Sequence, residues 1–126
     1  MSHTNITNPA TLQTEALRGL SFYKEEIKIL DERLMEAACK NNSFEARQQI
    51  EHFQNQFMLQ QKNINGLRHR INEYLQQMGE DMMLHEGHIE KRLLEKDLSL
   101  TEQYKNLEKL IRELRDEFNK FLVKWK

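Results

Sequence analysis

The sequence predicts an all-α fold, an elongated antiparallel three-helix coiled-coil bundle running up-down-up. Three observations carry this. Apolar side chains recur in alternating steps of four and three residues along three separate stretches, which is the seam that supercoiled helices need. The chain of 126 residues holds only 4 Gly and 1 Pro, so it has few points where a helix must stop. The seams also differ in phase. Extended in sevens from Met78, the second reaches 85 and 92, whereas the third repeats through Asp97, Tyr104 and Ile111. That offset of five is more than one three- or four-residue discontinuity produces, so a turn is expected between them. The competing architecture is a long rod in which helices 2 and 3 are continuous.

Residues 1–8 read as a flexible polar leader, and residues 9–126 as a single helical domain. Asn8-Pro9 is a helix start, because Asn accepts from free amides and Pro at the first position loses an amide that had no partner. The first seam is Ala16, Leu20, Tyr23, Ile27, Leu30, Leu34 and Ala37, giving a helix over about 9–40. Lys40 to Ser43 interrupts it, and Asn42 followed by Glu45 fits a capping box. The second seam runs Ala46, Ile50, Phe53, Phe57, Gln60, Ile64, Leu67, Ile71, Tyr74 and Met78, giving a helix over about 43–78. The third takes Leu93, Asp97, Leu100, Tyr104, Leu107, Ile111, Leu114, Phe118, Phe121 and Trp125, over about 88–126. The break is expected between Gly79 and Gly87. The arrangement resembles a spectrin-type three-helix repeat in architecture alone, with no sequence motif to accompany it.

Composition excludes several function classes. Charged residues are 31% of the chain and the formal net charge is −1, without the basic excess of a nucleic-acid surface. No apolar stretch approaches the roughly 20 residues that span a bilayer. The polar start, Met1 to Ala10, lacks the basic and apolar regions of a secretory signal, so a cytoplasmic protein is expected. The single cysteine, Cys39, has no partner for an internal disulfide and lies at a helix C-terminus, the wrong end to activate a thiol.

A few residues are left over once the seams are filled. Phe22 and Ile29 sit seven apart and off the main seam of the first helix, so they mark a partner or oligomer interface. Gln60 and Asp97 are polar residues in seam positions, where such groups set register and partner number at a cost in stability. Asp81, His85 and His88 fall at i, i+4 and i+7, a spacing that puts carboxylate and imidazoles on one helix side, where they would ligate a divalent metal; His69 and Glu73 would approach them across a hairpin. No bundle-type Glu-x-x-His pair accompanies them, so no cofactor is assigned. The end, Phe118 to Lys126, is aromatic and basic, a composition that suits a peripheral membrane contact. Seam packing and the helix dipole already account for it. The function expected is a non-enzymatic structural or interaction protein: a coiled-coil adaptor, chaperone-like binder or assembly component that associates with itself or a protein partner. The alternatives are a metal-binding bundle and a peripheral membrane binder.

Overall fold

The computed structural model describes residues 9–84 and 91–125. Its three helices are α1 (Pro9–Lys40), α2 (Phe44–Leu84) and α3 (Lys91–Lys124), and each packs on the other two. The seams give the reason. Every apolar residue of the second seam is buried, as are Ala16, Leu20, Ile27, Leu30, Leu34 and Ala37 of the first. On α3 Leu93, Leu100, Leu107, Ile111, Leu114, Phe118 and Phe121 join the same core, while Tyr23, Tyr104 and Trp125 pack half-buried at its margin.

Cross-helix contacts fix the topology. Gln13 meets Asp97, Tyr23 meets Glu108, Glu26 meets Arg115 and Asn41 meets Trp125. Both numbers rise together, so α1 and α3 run parallel. Lys24 pairs with Gln61 and Met35 with Gln54, while Gln77 pairs with Lys96, Arg70 with Gln103 and Glu45 with Lys124. In these pairs one number rises as the other falls, so α2 is antiparallel to both. The rod with helices 2 and 3 continuous is thereby excluded.

Helix ends depart from the sequence reading in two places. At the start of α2 the cap is Ser43, not Asn42: its Oγ accepts from the Ala46 amide at 3.1 Å. Asn41 works in the other direction, its Nδ2 donating to the Ala37 carbonyl at 2.9 Å and to the Trp125 carbonyl at 3.0 Å. The loop thus closes one helix, opens the next and ties down the end of the third. At its far end α2 does not stop at Met78 but continues through Gly79 to Leu84. The seam steps on from Met78 to Asp81, which is buried. Gly79 is exposed, with nothing near its missing side chain, so it costs only its helix propensity of about 1 kcal/mol. The remainder of the predicted break, residues 85–90, lies outside the described residues, as does the predicted leader.

Candidate interaction surface

The outward face of α1 follows from its seam. If Leu20, Ile27 and Leu34 face the core, residues two positions on must face away from it on the flank toward α3. Phe22 and Ile29 are those residues, and they are 62% and 49% exposed. They line one groove of about 320 Å³ between α1 and α3, together with Arg33, Arg115 and Asn119. Phe22 is held edge-on against Tyr23, ring centres 5.4 Å apart. A large aromatic left in water beside an aliphatic residue on a rigid helix is a surface that gains by being covered.

Leu30 forms the buried base of this groove, and its side toward α3 is polar. Arg115 donates from Nη2 to Glu26 Oε1 at 2.8 Å, with both groups partly buried. That hydrogen bond raises the guanidinium further above its ordinary pKa, against a smaller desolvation effect. The buried Nε of Arg115 has no hydrogen-bond partner. One turn toward the start of α1, the Tyr23 hydroxyl donates to Glu108 Oε2 at 2.7 Å. Burial, followed by this bond and the Glu108 charge, pushes the Tyr23 pKa up to about 12. Tyr104 is also raised, first by burial and then by Glu108. Its side chain fills the space over Gly19, where an added Cβ would collide with the Tyr104 hydroxyl. Gly19 therefore lets α1 and α3 approach at this level.

A second groove, about 540 Å³, runs on the other flank of α1, against α2. Its floor is Ile27 and Phe57, its rim includes Met58 at 70% exposure, and Lys24, Lys28 and Lys62 stand around it. Gln61 crosses it, donating from Nε2 to the Lys24 carbonyl at 3.0 Å, while its buried Oε1 has no partner.

The two polar seam residues behave differently. Asp97 accepts across the bundle from Gln13 Nε2 at 2.8 Å, and the same nitrogen lies 3.1 Å from Thr101 Oγ1. The Tyr74 hydroxyl, which donates toward Met78 Sδ at 3.4 Å, is raised in pKa by burial first and then by Asp97. Gln60, by contrast, accepts from Asn63 of its own helix at 3.3 Å. Gln13 is 1% exposed and escapes a search for apolar periodicity because it is polar. Stepping the first seam back three residues from Ala16 would have found it.

The proposed metal ligands are not brought together among the described residues. Asp81 is buried on the inner side of α2, while His85 and His88 lie outside the described residues. His69 and Glu73 face solvent and pair with each other at 3.5 Å. No group of three or more His, Cys, Asp or Glu side chains suited to a metal occurs among the described residues. At the other end, Phe118 and Phe121 are buried against Phe53, with centroid separations of 5.3 and 5.2 Å. Lys124 pairs with Glu45 at 3.2 Å and lies 5.4 Å above the Trp125 ring. The aromatic face of this segment therefore points into the bundle. No helix among the described residues is long and apolar enough to cross a membrane. Cys39 is exposed.

Comparison with protein-family models, with curated proteins and with solved structures gives no match to this chain.

Proposed function

We propose that this protein is a non-enzymatic helical scaffold of the cytoplasm, an adaptor or assembly component that associates through the outer face of α1. The observation that carries this reading is the pair Phe22 and Ile29, exposed side by side on one groove of a bundle whose other aromatic side chains mostly sit in or against the core. Apolar side chains spaced along one helix face are the anchors by which helices seat in a partner's groove. The rigid α1–α3 register beneath them presents them without further ordering cost, and pre-organisation of that sort favours binding.

The test is the mass in solution of the whole chain against the Phe22→Ser/Ile29→Ser double variant, by size exclusion with light scattering. Self-association in the parent and a monomer of 15.2 kDa in the variant, at equal helicity, is the expected result. Equal masses for the two proteins would sink the proposal.

A further inference from the structure

We infer that α1 is a lid: it opens as one unit from a lasting α2–α3 pair, turning about Asn41–Ser43, independently of what covers its outer face. Three observations place the weakest join of the bundle on α1.

The first is apolar burial, which supplies most of the cohesion between helices. Among the described residues, α1 buries Leu20, Ile27, Leu30 and Leu34 and fills its other buried apolar positions with Ala16 and Ala37. α3 has Leu, Ile or Phe at each of its buried apolar positions, from Leu93 to Phe121. α2 has Ala46 alone among larger side chains. α1 is thus the helix whose departure uncovers the least.

The second is the placing of the aromatic rings. Phe53 and Phe57 of α2 pack on Phe118 and Phe121 of α3, with ring centres 5.2 to 5.3 Å apart across the two helices. α1 adds no ring to this cluster. Phe53 and Phe121 also line the groove on the outer side of the α2–α3 pair, so their contact persists when α1 leaves.

The third is polar. Among the described residues, the buried side-chain atoms without a hydrogen-bond partner are Gln13 Oε1, Gln61 Oε1 and Arg115 Nε. Each belongs to a side chain that bonds across an α1 interface: Gln13 to Asp97, Gln61 to the Lys24 carbonyl and Arg115 to Glu26. A buried polar atom left unpaired opposes the closed state, because water pairs it in the open one.

The direction of opening follows from the connections. Asn41 donates to the Ala37 and Trp125 carbonyls, so this end of α1 stays tied to the end of α3. Opening therefore starts at the Gln13 end. It uncovers the seam side of α2 and α3, including Ile64, Ile71, Leu107 and Ile111. When closed, α1 keeps the register on α3 that Gln13, Tyr23 and Glu26 set.

The experiment is native-state hydrogen exchange, read residue by residue by NMR on the whole chain, at a concentration where light scattering gives 15.2 kDa. Amides of α1 from Leu20 to Leu34 should share one opening equilibrium and exchange roughly tenfold or more faster than the slowest amides of α2 and α3. Phe121→Leu weakens the α2–α3 pair in the closed and the open state alike. It should speed exchange in α2 and α3 and leave α1 unchanged. Phe53→Leu cuts the same contact from the other helix and serves if Phe121→Leu does not fold. Equal protection in all three helices overturns the proposal, as does an α3 that exchanges ahead of α1. Protection that rises turn by turn from Gln13 to Leu34 also overturns it, since that is fraying and not a unit. So does a variant that speeds α1 by the same factor as α2 and α3, because α1 then exchanges only by unfolding of the whole chain.

Discussion

The two ends of the bundle are built from opposite materials. At the end where α1 joins α2, the core is a cluster of four phenylalanines: Phe53 and Phe57 from α2 with Phe118 and Phe121 from α3, centroids 5.2–6.1 Å apart. At the other end the same seam positions hold Gln13, Asp97 and Asp81, with Tyr74 between the helices. The heptad geometry is continuous from one end to the other. What changes is the packing: ring contacts at one end, and at the other an aliphatic core of Leu20, Ile71, Met78, Leu93 and Leu100 with a hydrogen-bonded pair, Gln13 and Asp97, set into it. An apolar layer tolerates sliding by a heptad; a layer in which Gln13 must reach Asp97 does not.

Cutting into the aromatic end should give the largest effect. Phe118→Ala leaves a cavity beside Phe53 and Phe57 and should cost about 3–5 kcal/mol, read from chemical denaturation. A loss below about 1 kcal/mol would mean that the ring cluster adds little to the surrounding aliphatic core. The polar end should respond less, and in a way that depends on how it is cut. Asp97→Ala takes from the buried Gln13 amide its shortest acceptor, leaving it Thr101 Oγ1 and the backbone carbonyl of residue 97, and removes the carboxylate beside Tyr74, a loss of about 1–3 kcal/mol. The double variant Gln13→Leu/Asp97→Leu replaces both partners with apolar groups and should be near neutral or more stable. It should also relax the α1–α3 register, seen as mixed species when cysteines placed at Thr101 and Leu12 are cross-linked. A double variant as destabilised as the single one would contradict the view that this layer supplies specificity rather than strength.

Between the ends, Gly19→Ala places a methyl group against the Tyr104 hydroxyl. It should cost about 1–3 kcal/mol by overpacking. Adding Tyr104→Phe removes the hydroxyl and should recover part of that loss, so strictly additive effects would show that the two residues do not meet. The smallest effect is in pH. Tyr23 has its pKa raised to about 12 in the folded chain, against about 10 when unfolded. Between those values the folded state holds a proton that the unfolded state has released, so stability falls with rising pH. The contribution is fully present below pH 10 and lost by about pH 12. Tyr23→Phe should flatten that part of the melting-temperature profile, and an unchanged slope would assign it to other groups.

Much of this is legible in the spacing of apolar residues. The seam residues Leu20, Ile27, Phe57, Ile71, Ile111 and Phe118 are buried where their spacing put them, because a 3.5-residue repeat leaves one face to bury. Phe22 and Ile29 are exposed for the same reason: they fall outside that face. The extent of α2 was less legible. Gly79 looked like a stop, but a glycine at an exposed helix position costs less than the packing on either side of it supplies. The sequence offers Asn42 and Ser43 as equally able caps, and only the backbone path chooses Ser43.

By itself, the sequence determined the class of fold, the number of helices and the residues each one turns inward, since these depend on local periodicity and on the aversion of apolar groups to water. Tertiary structure alone decided which polar groups face one another. Gln13 finds Asp97, Tyr23 finds Glu108 and Arg115 finds Glu26 across more than eighty residues of chain. Periodicity says which way a side chain points, but not what stands opposite it. The partners are set by how far three helices slide along one another before all their seams are filled at once.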